Sequence, residues 1–458
     1  MAENEKNSFV QTELEIMRFW EANKCYEQLR EKNKEKPRFR FLDGPITANN
    51  PMGIHHAWGR SLKDIFIRYK AMQGFDCRCQ NGFDSQGLWV EVEVEKELGF
   101  VSKRDIEEYG MDKFTRKCVE RVERFSGIIT EQSKRLGQWM DWEHSYFTNT
   151  DLNIQGIWYF LKKCNENGWL RREYKPMPWC PRCGTSLSEH EMTGSYKMMT
   201  HNSVFFKLPI VDFPSAAGEP ARKIIVWTTT PWTLSSNVAL AVNPEIDYVE
   251  VKVKSDDALL ILAKNAIKHL GDDKLEVVRV FKGAELEGLH YDTCFPEFEA
   301  QAGIEHKIVP WADVDAAEGV GIVHIAPGCG VEDFELGAGI GLPQVMPVDD
   351  AGIFLEGFGF LTGKDSHSAA DEIFEELGKR GKLYKVEPHE HSYPVCWRCK
   401  TEVIFRLVPA WYIATEELKP RLIKASDSVK WEPESNGKRM NDWLQNMGDW
   451  NISRKRYY

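Results

Sequence analysis

Arg38-Phe39-Arg40-Phe41-Leu42-Asp43-Gly44-Pro45 begins the stretch that decides the fold. Alternating arginine and apolar side chains predict a strand, and Asp43-Gly44-Pro45 closes it. From about His56 the apolar residues Leu62, Ile65, Phe66, Tyr69 and Met72 recur at helical spacing, a stripe that Gly74 ends. Residues 75–80 predict a second strand, followed by a loop rich in Gly and Asp. Strand, helix and strand in that order form a βαβ unit, whose crossover demands a parallel sheet. The fold class is therefore α/β.

Outward from this unit, Asn7-Ser8 caps a predicted helix to about Leu29, with Val10, Leu14, Met17 and Phe19 or Trp20 toward one face. Further amphipathic helices are predicted at about 111–136 and 151–166. Between about 195 and 385 the character changes. Short β-rich runs at 203–208, 223–229, 237–242, 248–253, 259–262 and 321–325 predict a mostly β domain inserted into the α/β frame. Beyond it, mixed strands and a Trp-rich stretch lead to Arg454-Lys455-Arg456-Tyr457-Tyr458.

The chain has 458 residues, of which 42% are apolar, enough for a large core in about three domains of roughly 150 residues. Charged residues make up 28% and mean hydropathy is -0.46, and no run reaches the ~18 apolar residues a membrane helix needs. An integral membrane protein is excluded on this reading. Met1-Ala2-Glu3-Asn4-Glu5-Lys6 lacks the apolar core of a secretory signal, so a cytoplasmic location is expected. The net charge of -11 does not advertise a nucleic-acid binder, although phosphate affinity depends on local basic surface rather than the total. Seven of the 11 cysteines are scattered, which suits a reducing compartment.

The other four form Cys180-Pro181-Arg182-Cys183 and Cys396-Trp397-Arg398-Cys399. Each C-x-x-C turns the chain enough for two thiolates to face one ion, so the pairs together predict a closed, structural Zn²⁺ site pinning both ends of the inserted domain. Two unrelated surface or redox pairs are the alternative. A second candidate site runs from Gly44 and Pro45 to Gly53, His55 and His56, where a strand meets a helix N-terminus. Backbone N–H groups and the helix dipole there favour phosphate, and an imidazole donor can stabilise its developing charge. A turn carrying surface histidines is the plainer reading.

This stretch resembles the class I aminoacyl-tRNA synthetases, specifically the isoleucyl branch, whose G-P-P-Y-A-N-G-x-x-H-x-G-H-A pattern leads into a helix with L-K-D-I. Leu62-Lys63-Asp64-Ile65 sets the register, so the family's first His falls on Gly53, its Gly on His55 and its second His on His56. Gly-x-His-His thus replaces His-x-Gly-His. Asn81-Gly82-Phe83-Asp84-Ser85-Gln86-Gly87-Leu88 resembles P-G-W-D-C-H-G-L, and the resemblance gives Asp84 the amino acid's ammonium group. Trp227-Thr228-Thr229-Thr230-Pro231-Trp232-Thr233-Leu234 and the run from Asn237 to Pro244 are similar to the threonine-rich editing signature; valyl and leucyl relatives carry Arg at the place of Thr230. The run from Gly319 to Pro327, with Glu332-Asp333, resembles the second editing segment. It implies that Asp333 holds the ammonium of a misattached amino acid and that His324 lines the same pocket. Trp450 to Tyr458 resembles the return into the catalytic sheet, with Lys455 where Gln is frequent. Taken one by one, the threonines could be strand filler, His324 a core histidine and Asp333 a helix N-cap.

The resemblance implies an incomplete class I Rossmann-type catalytic domain with an inserted, mostly β editing domain. The expected divisions are 1–175 for the first catalytic half, 176–195 with 386–415 for the zinc-bearing connection, 196–385 for editing and 416–458 for the return. It further implies ATP-dependent activation of isoleucine, transfer to tRNA(Ile) and hydrolysis of valyl-tRNA(Ile), with ATP and Mg²⁺ as substrate, structural zinc, no membrane partner and a monomer at full length. Isoleucine and valine differ by one methylene, worth only about 1–3 kcal/mol in an apolar pocket, so accuracy needs a second, hydrolytic site. A Lys-Met-Ser-Lys-Ser loop is absent; the nearest string, Lys197-Met198-Met199-Thr200, lies in the inserted domain. The chain is therefore expected to be a fragment or one half of a split enzyme. A freestanding hydrolase of mischarged tRNA and a non-catalytic, zinc-stabilised RNA-binding module are the competing expectations.

Overall fold

Phe39 and Phe41 sit in a five-residue strand, Arg38–Leu42, that runs parallel to Asp76–Asp84, with Arg38 opposite Asp76 and Leu42 opposite Gln80. Ile46–Thr47 continues along the same edge opposite Phe83 and Asp84, and Asp141–Phe147 lies parallel on the other edge. The computed structural model describes residues 8–213, 220–254, 256–271, 275–317, 319–455 and 457–458, leaving aside the side chains of Glu189 and His190. Met1 to Asn7 and Arg456, both part of the sequence reading above, lie outside the described residues. The chain forms two units, Met1–Leu170 with Lys455–Tyr458, and Arg171–Arg454.

In the first unit the crossover helix is Ile54–Met72, as its periodicity predicts, but its apolar stripe faces outward. Leu62, Ile65, Phe66, Tyr69 and Met72 are all exposed, while Arg60, Ile67 and Ala71 form the buried face. The inward arginine is tolerable because its charge is met: Asp43, also buried, lies 3.4 Å from the Arg60 guanidinium and 2.7 Å from Lys63 Nζ. The expected N-terminal helix breaks into Phe9–Ala22 and Cys25–Lys32 at Lys24, whose φ of 48° is left-handed. Ser8 caps the first piece, accepting the Gln11 N–H at 3.2 Å. Helices Leu88–Leu98, Met111–Arg135 and Asp151–Glu166 follow, and the first two bury Val90, Val94, Phe114, Cys118, Val122 and Ile129 around Phe83. Glu91, itself buried, accepts the backbone N–H groups of Tyr457 and Tyr458 at 2.8 and 2.7 Å.

The second unit centres on a six-stranded sheet ordered Glu276–Lys282, Asp247–Lys252, Leu259–Ala263, Arg222–Thr228, Tyr196–Pro209 and Leu383–Pro394. Val204, Phe205, Phe206, Ile224, Ile225 and Val226 are fully buried in consecutive positions, so both faces of the middle strands are covered and the pattern is continuous rather than alternating. A three-stranded sheet of Lys307–Pro310, Ala239–Val242 and Val323–Ile325 carries His324, and Ile404–Ile413 pairs with Trp450–Asn451 in a third sheet. No helix among the described residues is long and apolar enough to cross a membrane.

Candidate functional site

At the carboxyl ends of the parallel strands a cavity of about 540 Å³ opens between the loop from Asp43 and the start of helix Ile54–Met72. It is lined by Gly44, Pro45, Thr47, His55, His56 and Lys63, among others. This is where open α/β sheets bind ligands, because loops and helix N-termini converge there. Gly53 is the helix N-cap, and its N–H donates to His56 Nδ1 at 3.1 Å, leaving the imidazole proton on Nε2. Burial, with His55 and Arg60 nearby, holds His56 below the ordinary imidazole range, so the ring is a neutral donor at pH 7. The His55 and His56 rings lie 3.8 Å apart, and a Cβ placed on Gly53 would come within 2.9 Å of His55 Cε1. His55 and Gly53 are thus sterically tied: the ring occupies the space that a side chain at position 53 would need.

Asp84 ends the central strand and lies behind the cavity wall, where its carboxylate accepts from Thr47 Oγ1 at 3.3 Å. Burial raises its pKa, while hydrogen bonds from the Gln86 backbone, Thr47 and Thr148 oppose the rise. Thr47, Arg60 and the Asp43–Lys63 pair were not singled out from the sequence. The available signal is the i,i+3 spacing of Arg60 and Lys63 on one helix face, following an acidic residue at the strand end.

In the second unit, a relay of hydrogen bonds links most of the threonine-rich segment to His324. Thr230 N–H donates to Thr228 Oγ1 at 3.1 Å, Thr233 Oγ1 donates to the Thr230 carbonyl at 2.8 Å, and His324 Nε2 lies 3.0 Å from Thr233 Oγ1. Since the Thr233 hydroxyl proton is committed to Thr230, its lone pair receives an Nε2–H from His324. The Nδ1 lone pair of His324 is buried and has no hydrogen-bond partner among the described residues. Burial pushes this imidazole down to about 4, so it is neutral. Thr229 is half-buried beside the relay. Asp333 is not the N-cap of its helix: that position is Gly330, and Asp333 Oδ2 instead accepts the Ala326 N–H at 2.7 Å, two residues past His324. Burial pushes the Asp333 carboxyl up to about 6. Cys329, read from the sequence only as one of the seven scattered cysteines, lies 3.3 Å from Ser236 Oγ in the same neighbourhood.

The sulfurs of Cys180, Cys183, Cys396 and Cys399 lie within 4.8 Å of one another, Cys180 and Cys399 at 3.4 Å. All four are free thiols. Hydrogen bonds from Cys180 and Cys183 hold Cys396 and Cys399 below the ordinary thiol range. An all-sulfur donor set of this size fits one tetrahedral Zn²⁺, whose ~2.3 Å bonds place sulfurs about 3.8 Å apart and leave no position open for chemistry.

With cavity, relay and cysteine cluster in view, comparison with known proteins places the chain. The sequence model for tRNA synthetases class I (I, L, M and V) matches residues 15–458, and the chain belongs to that family. Its relatives include the isoleucine--tRNA ligases of Thermococcus kodakarensis, 40% identical over 98% of this chain and 43% of that protein, and Pyrococcus horikoshii, 41% identical over 97% and 42%. The isoleucine--tRNA ligase of Archaeoglobus fulgidus is 40% identical over 99% of this chain and 44% of its own. The chain therefore spans less than half the length of these relatives. Among solved structures, the P. knowlesi cytosolic leucyl-tRNA synthetase editing domain aligns with 41% of this chain and 97% of its own at 10% identity and a TM-score of 0.32.

Proposed function

We propose that the chain is the N-terminal portion of an isoleucine--tRNA ligase, bearing part of its synthetic site and its editing site. The observation that carries this reading is identity of about 40% to isoleucine--tRNA ligases across nearly the whole chain, with the cavity at His56 and the relay at His324 in separate units.

In the synthetic reaction, isoleucine's carboxylate attacks the α-phosphate of ATP, bound with Mg²⁺, and pyrophosphate leaves. His56 Nε2–H and the helix N-terminus face the cavity and offer donors to phosphate oxygens as charge shifts onto the leaving group. Asp84 holds the substrate ammonium, with Thr47 fixing the carboxylate. The 3′-terminal ribose hydroxyl of tRNA(Ile) then displaces AMP.

In editing, water cleaves the ester of valyl-tRNA(Ile). Asp333 pairs with the valyl ammonium, the hydroxyls of Thr228, Thr229 and Thr230 hold the water, and His324, fixed by Thr233, forms the wall against the larger isoleucyl side chain. Zinc at the cysteine cluster supplies structure alone. Deacylation by the full chain at low salt, where phosphate contacts are strongest, tests the editing half. Valyl-tRNA(Ile) should be cleaved at least tenfold faster than isoleucyl-tRNA(Ile); equal rates would sink the assignment.

A further inference from the structure

Arg406 is buried in the strand Ile404–Ile413, where a charge left unpaired is costly. Its polar contacts converge on residues 346–350. One terminal nitrogen donates to Asp350 Oδ1 at 2.6 Å, and the other lies 3.7 Å from Met346 Sδ. The guanidinium stands 5.1 Å over the ring of Trp179, whose own Nε1–H donates to the Asp350 carbonyl at 2.7 Å. A planar fork with an aromatic backing thus grips this segment from one side.

The same segment lies against the loop between His324 and Asp333. Val345 passes Gly328 so closely that a Cβ at position 328 would strike the Val345 carbonyl. Gly328 follows Ala326 by two residues, and the Ala326 N–H is the donor that Asp333 accepts at 2.7 Å. Cys329, next in the chain, senses both ends of this arrangement. Burial raises its thiol and a hydrogen bond with Ser236 lowers it, while the Asp333 carboxylate and the Arg406 charge act on it in opposite directions.

We propose that Arg406 is a positioning residue for hydrolysis: through residues 345–350 it sets the place of the loop 326–330, and with it the carboxylate of Asp333. This rests on the editing role given above to Asp333 and His324. There is no slack to absorb a shift, because Gly328 and the Val345 carbonyl meet backbone to backbone and pass any displacement onward. A misplacement of about 1 Å can cost about a hundredfold in rate, so a residue that touches no substrate can still govern turnover.

The test reads motion and rate separately in the full chain. Hydrogen exchange is followed in Arg406→Met, and in Asp350→Ala, which opens the clasp from its half-exposed side should Arg406→Met fail to fold. Exchange should quicken about tenfold or more across 323–334 as well as 345–352, with the core runs 204–208 and 224–228 unchanged. Quickening confined to 345–352, or spread evenly over the unit, overturns the proposal. Deacylation of valyl-tRNA(Ile) should lose about ten- to a hundredfold in kcat with KM little changed, and an unchanged kcat, or a loss carried by KM, overturns it. Arg406→Met/Asp350→Ala should be no slower than Arg406→Met, since both substitutions open one clasp; losses that multiply overturn it. A parent chain without deacylation would end the editing reading itself, while the exchange experiment, which needs no tRNA, still decides whether Arg406 governs the loop.

Discussion

Gly53 presents its backbone N–H to Nδ1 of His56 at 3.1 Å, and this contact decides which imidazole nitrogen is left to face the cavity. A helix N-cap with a small residue leaves the loop free to approach the ring, and the adjacent His55 ring uses the space thus vacated. Truncating His56 to Ala should therefore lower the isoleucine-dependent ATP–pyrophosphate exchange of the full-length polypeptide by about 10²–10³, the usual cost of one preorganised donor, with KM for isoleucine little changed. Gly53→Ala should be damaging alone and recover when combined with His55→Gly. A double variant no better than Gly53→Ala would refute the steric tie.

Asp333 is held at about 6 by burial, above its unfolded value, so the native state binds its proton more tightly than the unfolded state does. Sign and window follow. The carboxylate costs stability above about pH 6, the cost shrinks as pH falls from 6 toward 4, and it vanishes below that. Asp333→Asn should raise Tm at pH 7.5 and have no effect on Tm near pH 4, while deacylation of valyl-tRNA(Ile) drops roughly ten- to a hundredfold through loss of a charge-assisted contact. In the parent, deacylation should decline as pH falls through about 6. A lower Tm for the variant at pH 7.5 would contradict the burial argument.

Asp43 and Arg60 are both nearly inaccessible, with side chains 1% and 4% exposed. Removing one partner strands the other charge. Asp43→Ala should destabilise the first unit by about 3–5 kcal/mol in urea unfolding, and Asp43→Ala/Arg60→Met should regain much of it because the buried charge is gone. Equal losses in the single and double variants would show that the pair does not act as one.

Metal analysis should return about one zinc per chain bound tightly enough to survive mild chelation, and Cys396→Ser should lose it. Retention of that tight zinc in Cys396→Ser would exclude the four-cysteine site.

The βαβ unit was legible because strand alternation, helical spacing and Gly74 all agree. Which side of the helix is buried was not, since the inward Arg60 is met by partners outside its helix: the Asp43 carboxylate and the side-chain carbonyls of Asn81 and Gln138, to which it donates. The helix Leu88–Leu98 is hidden by its own composition: Val90, Val92 and Val94 alternate with glutamates as in a strand, and Glu91 is buried because it receives the N–H groups of Tyr457 and Tyr458. Around His324 the candidate residues could be named from motifs. The tautomer of His324 could not, because it depends on a contact with Thr233 that only the pairing of Val323–Ile325 with Ala239–Val242 brings about.

Cys180 and Cys183 precede residues 184–395, and Cys396 and Cys399 follow them, so an ion held by all four closes that segment into a loop. Tension drawn along the polypeptide, as by an unfolding motor, would then run from Cys180 to Cys399 through the ion and skip the six-stranded sheet. Such an ion would act as a mechanical fuse: the β body would bear no load until a metal–sulfur bond parts. Single-molecule extension should release the contour length of 184–395 at low force from the metal-stripped chain, and only after a distinct rupture from the loaded one.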